Sequence, residues 1–156
     1  MGTVKNSNPH GPIDPARLAL FEDQIGAHLP SEYRQFLVAH NGGGLTPEEI
    51  IFPGKAEPFT VLAETTFGLY DGADSLEAVH SNCLDAIPAE VIAFAEDHGG
   101  NLFCLGIRGT HVGCVFFWDH HYSRPGDEVP GFAGMTLLAG SFTEFVAHLG
   151  RPQPGA

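Results

Sequence analysis

Gly99–His121 reads GGNLFCLGIRGTHVGCVFFWDHH, two dense apolar runs around a short polar turn. Neither Leu102–Ile107 nor Val112–Trp118 alternates apolar with polar residues, so both faces of each strand should be covered by other structure. The segment is expected to be a central β-hairpin, with Arg108-Gly109-Thr110-His111 as its turn. Cys104 and Cys114 face each other only if the loop has three residues; a two-residue loop sends them to opposite faces, and the sequence leaves the register open.

Outward from the hairpin, the preceding chain divides into helical and extended halves. Asp14 can cap a helix with Pro15 at its first position, and Ile13, Leu18, Phe21 and Ile25 follow helical spacing toward a stop near Gly26 or His28. Ser31 is expected to cap a second helix carrying Tyr33, Phe36 and Leu37, with Asn41-Gly42 as its left-handed stop. Ile50–Phe52, Phe59–Leu62 and Phe67–Tyr70 then read as short strands, Ser75–Asn82 as a helix and Val91–Ala95 as a strand. Beyond the hairpin, Met135–Leu138 reads as a last strand, and Ser141 caps a closing helix with Phe142, Phe145, Val146 and Leu149. Residues 1–12 are polar with Pro and Gly and are expected to form a flexible arm, residues 13–150 a single domain, and residues 151–156 a frayed tail. This order lacks regular βαβ alternation and carries no internal repeat. It predicts an α+β fold: a mostly antiparallel sheet with two N-terminal helices and a closing C-terminal helix packed against it.

Composition narrows the function classes. The 156 residues, 43% of them hydrophobic, suit one globular domain with a real core. No apolar run approaches the roughly 18 to 20 residues of a membrane helix, and the N-terminus lacks the apolar centre of a signal peptide, so a cytoplasmic location is expected. Met1-Gly2 suggests myristoylation, but Asn6 stands where that motif wants Ser or Thr. Seven basic residues against nineteen acidic ones give a net charge of -12, which disfavours nucleic acid or anionic lipid as a partner. No Lys or Arg falls between Lys55 and Arg108, whereas Glu57, Glu64, Asp71, Asp74, Glu77, Asp85, Glu90, Glu96 and Asp97 all do. One region of the surface should therefore be strongly negative, either for solubility or for a basic protein partner.

The residues offer little for catalysis. Three cysteines without a CxxC pair argue against a disulfide framework and a structural zinc site. Among nine histidines, His80 with Cys83 and Asp119 with His121 could each begin a metal site, but neither pair completes one, and no metal or other cofactor is expected. Ser141 lacks a GxSxG elbow and already serves as a cap, while Cys104 and Cys114 lie in apolar strands that disfavour a thiolate. Gly99-Gly100-Asn101 precedes a strand, so it lacks the helix dipole of a phosphate cradle. Glu48-Glu49 and Glu96-Asp97 are adjacent pairs with no partner for acid–base work. Binding candidates are more visible. Most of the twelve phenylalanines belong to the core, but Trp118, Asp119, His120 and His121 stand at a strand end beside a polar loop. Tyr70 with Asp71 and Asp74 sets an aromatic in the acidic region, which also holds Glu57 and Glu64 and would suit a basic surface.

An ordered set of motifs resembles the SUKH superfamily, in the branch of the yeast cell-wall-assembly regulator. It comprises Leu29-Pro30-Ser31-Glu32-Tyr33-Arg34-Gln35-Phe36-Leu37 with His40-Asn41-Gly42-Gly43, then Ile87-Pro88 and Phe94–Leu105, then Val115–His120, and finally Ser141-Phe142-Thr143-Glu144-Phe145. Gly44 is an extra glycine, and Pro53–Asp74 matches no motif of the family. The resemblance implies a non-catalytic α+β binding domain, in bacteria commonly an immunity protein that neutralises a polymorphic or contact-dependent toxin domain. A basic toxin domain, such as a nuclease masked by acidic residues, is the partner expected. The alternative is a cytosolic regulatory module with an endogenous protein partner. A small enzyme would need a ligand set that the sequence does not complete.

Overall fold

The structure, a computed structural model, describes residues 2–54, 59–122 and 130–155. Its first half holds β1 (Thr3–Lys5), α1 (Pro15–Ile25), α2 (Ser31–His40), β2 (Gly44–Thr46), β3 (Glu49–Ile51), β4 (Thr60–Thr66) and α3 (Leu76–Cys83). The second half holds β5 (Val91–Asp97), β6 (Leu102–Gly106), a 3-10 turn (Gly109–His111), β7 (Val115–Trp118), β8 (Met135–Ala139) and α4 (Phe142–Ala147). Strands β3 to β8 form one sheet in simple sequence order, every neighbouring pair antiparallel. The α+β reading holds.

The apolar runs of the opening segment supply two interior strands of that sheet, each paired on both sides. Leu102–Gly106 is buried throughout, and so are Val115, Phe116 and Phe117. Phe103 pairs with Phe117 and Cys104 with Phe116, so alternation sends the two pairs to opposite faces. On one face Phe103 meets Phe145 of α4, while Phe94 meets Tyr33 of α2 and both Phe142 and Phe145. On the other, Phe116 packs against His111 and Phe132. Two covered faces explain the missing polar positions, and burying each large ring contributes roughly 1.5–3 kcal/mol.

The hairpin turn differs from expectation. The strands end at Gly106 and resume at Val115, with the 3-10 turn between, and the His111 carbonyl crosses Gly106 so closely that no side chain fits there. Cys104 thus faces Phe116 rather than Cys114, and Cys83, Cys104 and Cys114 are all free thiols. Arg108, in this connection, donates to Ala89 O and to Ile25 O at the end of α1, where a helix leaves carbonyls unpaired.

Asp14 caps α1 by accepting from Ala16 N, and Gly26 ends it in the left-handed region. In α2, however, Pro30 stands at the N-cap and Ser31 is already helical, with no side-chain cap bond. Phe67–Tyr70 is not a strand but a bend, because the Asn41 side chain takes its backbone: Oδ1 accepts from Leu69 N at 2.7 Å.

Segments expected to be arm and tail make backbone pairings with the rest of the fold. Thr3–Lys5 pairs antiparallel with Gly44–Thr46, an approach that Gly43 permits, since a Cβ there would lie 2.7 Å from Lys5 O. After α4, Gly150 N and Gln153 N donate to Glu49 O and Ile51 O on β3, while Gly155 N donates to Leu138 O on β8. The two outer strands of the sheet are thereby joined through one short segment. Gln153 is 2% exposed and donates through Nε2 to Phe145 O.

Candidate protein-binding face

Register brings acidic side chains of neighbouring strands together. Thr65 on β4 pairs with Glu96 on β5, which sets Glu96 next to Glu64. Burial, and then the charges of Asp74, Glu64 and Asp97, push the Glu96 carboxyl above the usual range. Glu64 and Asp74 are exposed and line, with Tyr70 and Lys5, a cleft of about 290 Å³. Among the described residues no Lys or Arg forms an ion pair with Glu64, Asp74 or Glu96; His98 Nδ1 lies 3.8 Å from Glu64.

Tyr70 forms a wall of this cleft and is only 8% exposed, its ring 4.3 Å from that of His10. Burial, and then Asp74, push its phenol upward. Gly68 makes room for it, because a Cβ there would fall 2.6 Å from the Tyr70 ring and 2.8 Å from Asn41. Asn41 Nδ2 also donates to Gly11 O at 3.1 Å, so one buried side chain holds the cleft wall and the N-terminal segment that crosses it.

Other acids of the run are engaged by other groups. Asp71 is paired with Arg17 at 3.1 Å, and the same guanidinium takes Glu77 at 2.6 Å, which links α1 to α3. Asp97 is 4% exposed and spends its carboxylate inside the β5–β6 turn, accepting from Gly99 N, Asn101 N and Asn101 Nδ2. Glu90 sits beside Gly109 at the far hairpin turn. Three of the nine carboxylates, Asp71, Glu77 and Asp97, thus have partners within the fold, and Glu57 lies outside the described residues.

The second group of candidates occupies a separate cleft. Trp118 is half-buried at the end of β7, opposite Leu102 and Met135, and does not line it. Asp119 and His121 do line it, in a space of about 530 Å³. Asp119 Oδ1 accepts from His121 N at 2.8 Å, and the His120 and His121 rings lie 4.1 Å apart. Asn101 Oδ1 accepts from His120 N, so the β5–β6 turn touches this loop on one side and, through His98, reaches Glu64 on the other. The sequence analysis missed Asn101 and Asp97 as the scaffold between the clefts. Their signal was the Asp-x-x-x-Asn spacing around Gly99-Gly100, a turn motif in which the Asp accepts local backbone N–H groups.

Among the described residues no three of His, Cys, Asp and Glu gather in metal-binding geometry. Burial pushes the thiols of Cys104, Cys83 and Cys114 upward, away from the reactive thiolate. Among the described residues no helix is long and apolar enough to cross a membrane.

This architecture, with α2 and α4 on a curled antiparallel sheet, agrees with the comparison of the sequence against known families. Residues 12–148 match the SMI1 / KNR4 family (SUKH-1). The chain belongs to that family. Within the curated proteins, the SUKH-1 chain is 32% identical over 148 residues to the SPbeta prophage-derived uncharacterized protein YokK of Bacillus subtilis (strain 168). The match covers 85% of this chain and 72% of the relative. SUKH-1 membership is consistent with a protein-binding domain of the immunity type.

Proposed function

We propose that this SUKH-1 chain is a cytosolic immunity protein that binds a delivered bacterial toxin domain without catalysis and masks its basic active site. The observation that supports the reading is the crowding of Glu64, Asp74 and Glu96, where burial and then the neighbouring charges raise the Glu96 carboxyl, without a Lys or Arg partner among the described residues. Like charges held together in the free protein are costly, and a cationic surface relieves that cost, so the face favours a basic partner over a neutral one. A nuclease would present such a surface, because its site must hold phosphates. The acidic excess of the whole chain would also speed encounter at low salt.

The test is calorimetry of the purified chain with the toxin domain encoded nearest its gene, at two salt concentrations, beside a Glu64→Gln/Asp74→Asn/Glu96→Gln variant. Tight binding that weakens in salt, and at least about tenfold in the variant, is expected. Absence of binding would instead favour the regulatory module with an endogenous partner. Binding indifferent to both salt and the variant would remove the masking mechanism.

A further inference from the structure

The cleft beside Asp119 is built unlike the acidic one. A line of rings runs from the core to its surface: Phe103 to Phe117 at 5.6 Å, Phe117 to Phe52 at 4.9 Å and Phe52 to Phe59 at 4.8 Å. Phe52 and Phe117 are buried, whereas Phe59 is 51% exposed and Tyr122 is 39% exposed. Exposed rings in a concave site are more informative than scattered surface apolar residues. Asp119 is the sole carboxylate lining the cleft among the described residues, and none of the Lys or Arg side chains described there pairs with it.

The polar rim is preorganised. Tyr122 N donates to Asp119 O and Asp119 Oδ1 accepts from His121 N, which closes a tight turn. The Tyr122 ring rests on Gly134, where a Cβ would fall 2.5 Å from its Cγ. Asn101 is fully engaged by Asp97 and His120, so it offers a fixed wall rather than a free hydrogen-bonding group.

We propose that this cleft receives an arginine side chain of the protein partner, its guanidinium lying against Phe59 and Tyr122 and pairing with Asp119. The inference rests on the protein-binding reading above and names an anchor for it. An inserted apolar side chain would desolvate the Asp119 carboxylate without pairing it, which is costly. A lysine would satisfy the charge but lacks the planar face that stacks on rings. A cleft of about 530 Å³ falls in the size range that binds small groups specifically.

The test needs no toxin. N-acetyl-arginine amide is titrated into the whole chain and followed by backbone amide NMR, with N-acetyl-citrulline amide as the uncharged isostere and N-acetyl-lysine amide as the alternative cation. Saturable shifts at Phe59, Asp119 and Tyr122 are expected, with Kd on the order of 1–10 mM for the arginine probe. Weakening of about threefold to fivefold is expected in Asp119→Asn, whose exposed side chain leaves the core untouched. An equal response to citrulline, equal or tighter binding of lysine, or no saturable shift at these residues would overturn the proposal. Shifts confined to Glu64, Asp74 and Glu96 would also overturn it while leaving the acidic masking reading standing. Loss of toxin binding alone would do the reverse.

Discussion

Replacing Asn41 tests how the fold holds its candidate face. Asn41 is 1% exposed, has φ of 38°, and accepts from Leu69 N at 2.7 Å while donating to Gly11 O at 3.1 Å. Asn41→Gly preserves the left-handed backbone but leaves the Leu69 N–H buried and unpaired, a loss of about 1–3 kcal/mol, with about 1 kcal/mol more for the bond to Gly11. Asn41→Ala suffers the same losses and adds a Cβ in the left-handed region, so it should be about 1 kcal/mol less stable than the glycine variant. Equilibrium urea unfolding at unchanged m-value reads both differences directly. The ordering wild type, Gly, Ala is the signature sought. Two variants within about 0.5 kcal/mol of wild type would refute the claim that this side chain, rather than packing, pins the Leu69–Tyr70 bend.

Tyr33→Phe should stabilise the chain by about 1 kcal/mol in the same assay, because the Tyr33 hydroxyl is buried without a partner while its ring contacts to Phe94 and Phe142 survive the change. A destabilised variant would mean that the hydroxyl is bonded. His80 and His40 supply a pH dependence: burial, and for His80 then the charge of Arg108, lower both imidazoles below their usual value. The unfolded chain therefore takes up protons first as pH falls through about 6.5, so stability is present above that value and lost below it. Tm should fall between about pH 7.5 and about pH 5.5, less steeply in His80→Gln; an unchanged slope would remove His80 from the account.

The parts of the fold that the sequence revealed are those whose signal is dense and local. Leu102–Leu105 and Val115–Phe117 lack polar positions because each has a covered face on both sides. Asp14-Pro15 and Gly26 mark α1 because a cap and a left-handed stop are chemistry carried by single residues. Thr3–Lys5 escaped notice because three residues carry no periodicity, and the strand is defined by its partner; the one clue was the Gly43-Gly44 pair that lets the backbones meet. Phe67–Tyr70 reads as a strand by composition, but the Asn41 side chain, 28 residues away, overrides it. The candidate face was half visible for a similar reason. Charge counting put Glu64, Asp74 and Glu96 in one acidic run, but only strand register sets Glu96 beside Glu64, and only geometry gives Asp71 to Arg17.

The segment that joins the sheet's outer strands also sets an order of events during synthesis. Because β3 to β8 pair in sequence order, each strand can dock on its predecessor as it leaves the ribosome. The rims of β3 and β8 cannot be closed until residues 150–155 have emerged, since those residues supply the donors to Glu49 O, Ile51 O and Leu138 O. The nascent chain thus passes through an interval with a nearly complete sheet and two unpaired edges, the state most open to pairing with another copy. Emergence of residues 150–155, rather than formation of the core, ends that exposure.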